Sequence, residues 1–159
     1  RGDGFLPEAR AIGATATLAS YGVTARDPDE VSARSDAVPR QHLRFLESLG
    51  HAVDLRVAGG ASFWVVHAGI GTTQALGRAG SLDRVVPYLV DHHPDLLLWG
   101  NTDPIATLPV DRPVIMGHIC REEPKDFGHV LAIDTGCGTW AEGRITAVLL
   151  PERRFITVG

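Results

Sequence analysis

Cysteine is scarce in this chain. Cys120 and Cys137 are the only two, they form no C-x-x-C pair, and they exclude a disulfide framework. No apolar run approaches the ~20 residues that a helix needs to cross a bilayer. The N-terminus lacks a signal-peptide pattern. A basic field is missing too. With 15 Lys+Arg against 19 Asp+Glu, the formal charge is −4 and the pI is near 5.9. That excludes a dedicated binder of nucleic-acid polymers. Neither an internal repeat nor a low-complexity tract occurs. Together these absences predict a cytoplasmic protein with no membrane partner. Methionine occurs once, as Met116, and the chain opens on Arg1. We therefore expect a further segment of the same protein ahead of it.

What remains is ordinary globular composition, 44% hydrophobic and 21% charged in 159 residues. This length suits one domain that buries roughly 70% of its unfolded surface. A small-residue stretch, Ala9 to Ser20, reads as a weak helix ending at Gly22, and Thr24 to Asp36 as a loop. Pro39 with the stripe Leu43, Phe45, Leu46 and Leu49 predicts a helix over 39–49. Two strands follow, an alternating Val53–Val57 and a continuous Phe63–Val66. Gly59 and Gly60 form the hairpin turn between them. The first strand should be half exposed and the second buried on both faces. After a Gly- and Thr-rich loop, Leu82, Val85, Val86 and Leu89 share one face of a helix over Ser81–His92, with Pro87 against it. The last third carries short strands at 114–116, 130–133, 145–150 and 155–158. Turns separate them at 124–128, 136–143 and 151–154. The expected class is α/β (α+β), a mixed β-sheet with flanking helices.

Two histidines hold matching positions. His67 follows the strand Phe63–Val66 and precedes Ala68-Gly69, and His118 follows the strand 114–116 with Gly117 before it. Side chains at the C-terminal ends of neighbouring strands converge, and neutral imidazole is a common ligand of Zn, Mn or Fe. Two structural histidines capping strand ends would show the same pattern. Asp134 opens a glycine-rich loop running to Arg144. It is either a ligand or a hydrogen-bond acceptor for the loop backbone.

These segments resemble the C-terminal half of the phosphoprotein phosphatases within the calcineurin-like metallophosphoesterases. The resemblance is strongest to bacterial members, including the symmetrical diadenosine tetraphosphate hydrolases. "ATLASYGV" at 16–23, "FWVVHAGI" at 63–70, "DLLLWG" at 95–100, "PVIMGHI" at 113–119 and "IDTGCGTWAEGRITAV" at 133–148 are similar to that family's motifs, in its order. The resemblance covers about residues 14–150. It implies an αββα sandwich, of which residues 1–159 would be the C-terminal portion. It also implies a hydrolase acting on phosphoproteins or dinucleoside polyphosphates through two divalent metal ions, Mn²⁺ first, with Fe or Zn as options. His67 and His118 would bind one of the ions, and a metal-bridging hydroxide would attack phosphorus. The family's earlier motifs, "D-x-H", "GD..DRG" and "GNHE", do not occur here. The chain would thus supply half of the site and be inactive alone, with no catalytic residue of its own assigned. After "DLLLW" the family often has a phosphate-gripping arginine. Here Gly100-Asn101-Thr102-Asp103 follows, which leaves Asn101 or Asp103 as substrate contacts. Trp140 would be the loop aromatic that faces substrate.

Two weaker signals stand beside these. "VDHHPD" at 90–95 evokes the DHH phosphoesterases through Asp91, His92 and His93, although it also fits a solvated helix end. "RGD" at 1–3 is background. The alternative to a phosphoesterase is a degenerate or truncated phosphatase-like module that binds a partner or is inert.

Overall fold

Proline and glycine set the boundaries of the first helices. The computed structural model describes residues 13–23, 37–70, 81–100 and 111–159. The chain divides into two units, residues 1–49 and 50–159. In the first unit, helix α1 (Ala14–Ser20) ends as Gly22 enters the left-handed region at φ +79°. Helix α2 (Arg40–Glu47) begins directly after Pro39, whose ring stands outside the helical hydrogen bonds. Inside this unit the Tyr21 hydroxyl and His42 Nδ1 lie 2.8 Å apart. Of the predicted stripe, Phe45, Leu46 and Leu49 are exposed, and nothing in α2 is buried. The start of the predicted helix at Ala9 and the predicted loops over 24–36 and 71–80 lie outside the described residues.

The second unit holds a mixed sheet, as the sequence predicts. Its strands are β1 (Ala52–Arg56), β2 (Ser62–Val66), β3 (Val114–Met116), β4 (Lys125–Asp126) and β5 (Val130–Ala132). Their order is β1-β2-β3-β5-β4. β1 and β2 form an antiparallel hairpin with Gly59 and Gly60 at φ +85° and +84°. β2, β3 and β5 run parallel, and β4 closes the edge antiparallel to β5. Neighbouring residues of β2 serve opposite faces, as the two-residue period requires. Trp64 and Val66 join Val114, Met116 and Val130 in one core, and Phe63 joins Ile115 and Leu131 in the other. That is why the run Phe63–Val66 is continuously apolar.

Helix α3 (Leu82–His92) covers the first face with Leu82, Val85, Val86 and Leu89, and α4 (Pro94–Trp99) adds Leu97. On the second face lies a hairpin of β6 (Ile145–Leu149) and β7 (Arg154–Val158), contributing Val148 and Phe155. The unit is thus layered helix, sheet, hairpin. Pro87 sits within α3 without breaking it, because the four buried residues hold the helix to the sheet. Arg112, almost fully buried, ties three elements together. Its guanidinium reaches Asp54 at 2.5 Å, Asp83 at 3.1 Å and the Phe63 carbonyl at 3.2 Å, and it lies over the Trp64 ring.

Two elements depart from expectation. The predicted turn 124–128 contains β4, whose two exposed residues carry no apolar signal. The segment 94–99 is a short helix that begins on Pro94, a residue preorganised for that position. No helix among the described residues is long and apolar enough to cross a membrane.

Candidate metal-binding site

The site is built where two parallel strands end side by side. Beyond β2 and β3 the pairing continues one step, with the Gly117 N–H donating to the His67 carbonyl at 2.8 Å. The chain then turns sharply, and Ile119 N–H donates back to the Gly117 carbonyl at 2.7 Å. His118 takes φ +66°, which is uncommon for a residue with a side chain. This conformation brings the two imidazoles together, with ring centroids 5.0 Å apart and planes inclined at 60°. Trp99, at the end of α4, meets His118 edge to face at 5.8 Å.

Asp134 follows β5 in the neighbouring position. Ile133 N–H donates to the Met116 carbonyl at 2.9 Å, which keeps the two strand ends in step. Oδ1 of Asp134 accepts the Gly136 N–H at 2.9 Å, so this carboxylate does hold the loop backbone. His67, Gly117, His118 and Asp134 line one cleft of about 210 Å³, floored by Ile115 and Ile133. Gly117 is snug there without being obligatory. A Cβ on it would meet the His67 carbonyl oxygen at 3.6 Å and Asp134 Cβ at 3.7 Å.

The electrostatics favour neutral imidazole at His67. Burial, and then the positive charge His118 would carry, push its pKa below the usual value, while Asp134 pulls the other way. A neutral ring keeps a lone pair for a metal ion or a proton. The donor set suits part of a metal's coordination shell. Two imidazoles face one cleft, while no group of three or more His, Cys, Asp or Glu among the described residues could hold an ion.

The other predicted contacts fall elsewhere. Trp140 does not line this cleft. Its indole lies against Gly136, where a Cβ would come within 2.8 Å of the ring. It borders a separate hollow of about 990 Å³ with Glu122, Glu123, Glu142 and Arg144. The tight turn at Gly136 folds the indole back over its own loop. Asn101 and Asp103 lie outside the described residues. Asp91, His92 and His93 form an exposed helix end, with His92 stacked on Tyr88 at 4.4 Å.

Two neighbours of the cleft escaped the sequence reading. Trp99 stands out in the sequence only as part of the 95–100 motif. Cys120, two residues beyond His118, is half-buried, and desolvation, then the nearby Asp134 carboxylate, push its thiol's pKa up. The spacing from His118 was the available signal. Compared with protein-family models and with curated proteins, the chain matches none.

Proposed function

We propose that this chain is part of a metal-dependent phosphoesterase of the calcineurin-like type, acting on a phosphoprotein or a dinucleoside polyphosphate. In this reading the layers of helix, sheet and hairpin are one share of an αββα sandwich. The observation that carries it is the His67–His118 pair, 5.0 Å apart at the ends of adjacent parallel strands. His67 and His118 would hold one of two divalent cations, Mn²⁺ foremost. When bound, such cations polarise a phosphate and acidify water. The chain's own residues prepare for this. Partial desolvation lowers the His67 pKa, the left-handed turn at His118 aims its ring, and Trp99 walls that ring on one side.

Manganese titration followed by electron paramagnetic resonance tests the ligand pair. The chain should bind Mn²⁺ weakly, because two imidazoles are fewer than the three or four ligands of tight sites. His67→Ala and His118→Ala should each abolish that binding, and it should fade below about pH 6 as imidazole protonates. Unchanged binding in both variants would overturn the assignment, and sub-micromolar stoichiometric binding would overturn the shared-site reading. A partner-binding module is the second reading. The outward ladder of β6 and β7 favours it, with exposed Ile145 opposite Val158 and Ala147 opposite Ile156.

A further inference from the structure

The hairpin of β6 and β7 is patterned against the rule for a strand pair with one wet face, which sends polar residues outward. Its half-buried side carries Thr146 and Thr157, whose hydroxyls lie 2.9 Å apart, with Val148 and Phe155. Its outward side carries Ile145, Ala147, Leu149, Ile156 and Val158. Ile145 and Val158 face each other across the ladder at 58% and 60% exposure, so the aliphatic side is the wet one. Only Arg154, opposite Leu149 at the turn end, interrupts it. A contiguous aliphatic patch of this kind marks an interaction surface.

The two ends of the ladder carry opposite charge. At the turn end, Arg153 is held by the Gly128 carbonyl at 2.6 Å and by Asp126 at 3.6 Å. Arg154 is exposed and pairs with no carboxylate among the described residues. At the open end, beyond Ile145 and Val158, lies the hollow of about 990 Å³ that Glu122, Glu123, Glu142 and Trp140 border. None of those three carboxylates has an ion pair among the described residues, and Arg144 gives its guanidinium to the Glu122 carbonyl. The Trp140 ring rests on Gly136 and is still 43% exposed. Carboxylates beside an indole fit a guanidinium, which pairs with the former and lies over the latter.

We propose that this face is the interface of a symmetric dimer, in which two copies of the chain stack their β6–β7 ladders face to face. A two-fold axis that runs between the ladders and across the strands turns the second copy end for end. It passes by the middle rung, Ala147 with Ile156, which therefore packs on its own image. The rung of Leu149 and Arg154 then lies over the rung of Ile145 and Val158 in the other copy. Each Arg154 is thereby delivered to the acidic hollow of the other copy, once at either end. Aliphatic side chains meet in the middle and opposite charges meet at both ends. With five aliphatic residues per copy against the about 20–30 residues a side of a stable interface, the dimer is weak and forms with concentration. It stands whether or not the cleft of His67 and His118 binds a metal.

Sedimentation velocity of the 159-residue chain over a concentration series should show monomer passing to dimer, with the dimer receding as salt rises. Ile156→Lys sets two ammonium groups at the axis and should abolish the dimer. The position is exposed, so the native fold should persist by circular dichroism. Arg154→Glu and Glu142→Arg should each weaken the dimer by about tenfold or more, because each brings like charges together at both ends. Mixed in equal amounts, these two variants should form a heterodimer as strong as the native dimer, since every cation again faces a carboxylate. That rescue is particular to a two-fold contact. A chain still monomeric at about 1 mM would overturn the proposal. So would a dimer that survives Ile156→Lys, or one that the mixed pair fails to restore. A longer form that stays monomeric while shielding Ile156 from hydroxyl-radical labelling would give this face to its own added segment, and that result too would overturn the proposal.

Discussion

His118 answers two demands that pull against each other. Its ring belongs to the cleft, while its backbone sits at φ +66°, where a Cβ is crowded. His118→Gly and His118→Ala both delete the ring, but only alanine keeps the Cβ. Denaturant unfolding should therefore find the glycine variant more stable by about 1 kcal/mol. Equal stability would mean that the left-handed turn carries no strain. Arg112 is a second residue with long reach. Arg112→Ala strips the buried Phe63 carbonyl and the Trp64 face of their partner, and an expected loss of about 2–3 kcal/mol should appear in the same assay. The pH dependence has a definite sign. Hydrogen bonds from Arg112, and then from Arg56, hold the Asp54 carboxyl below its usual 3.8. A lowered folded-state pKa stabilises above that value, and the stabilisation is lost as pH falls through the folded pKa. Asp54→Asn should accordingly flatten the acid limb of the stability profile. The sequence makes His67 and His118 legible because each abuts glycine at the end of an apolar run. It hides Arg112, whose carboxylate partners come from β1 and α3, far along the chain.

At the scale of elements, α3 shows how a helix start is assembled from two places. Ser81 accepts the Asp83 N–H at 3.2 Å, and its hydroxyl donates to Asp111 Oδ2 at 2.6 Å. Asp111 Oδ1 then takes the Leu82 N–H at 2.9 Å. Burial pushes the Asp111 carboxyl up, but the Ser81 hydroxyl and the Leu82 N–H outweigh it and hold the pKa below normal. Ser81→Ala and Asp111→Ala should each cost about 1 kcal/mol. The double variant should cost less than the two losses added, since each group is the other's partner. Additive losses in a double-mutant cycle would show two independent caps. The Ser81 end and the apolar face of α3 are readable in sequence, whereas the Asp111 contribution is not, being thirty positions away. α4 and β4 stay hidden for another reason. Six residues and two residues are too few to establish a period, and only tertiary pairing decides their state.

For the whole molecule, the distribution of buried side chains matters most. β2, β3 and β5 contribute residues to both cores of the second unit, whereas α2 buries none. Amides of these three strands should exchange most slowly with deuterium, and those of α2 among the fastest described. The same distribution frames the chemistry. The strand ends fix His67 and His118 beside the best-packed strands among the described residues, which suits groups that must keep their geometry. Yet phosphoester hydrolysis of the proposed kind needs two cations and a leaving-group acid acting as a unit. Loss of one member costs orders of magnitude rather than a modest factor. Only His67 and His118 in this sequence match that family's ligand motifs. The 159-residue chain with added manganese should therefore show no turnover of p-nitrophenyl phosphate or diadenosine tetraphosphate. A longer form that carries "D-x-H", "GD..DRG" and "GNHE" should turn over with Mn²⁺ and lose that activity on His118→Ala. Metal-dependent turnover by the chain alone, surviving His67→Ala and His118→Ala, would place the reaction on other residues. A longer form inactive with every divalent metal would leave the exposed hairpin ladder and its partner as the function to pursue.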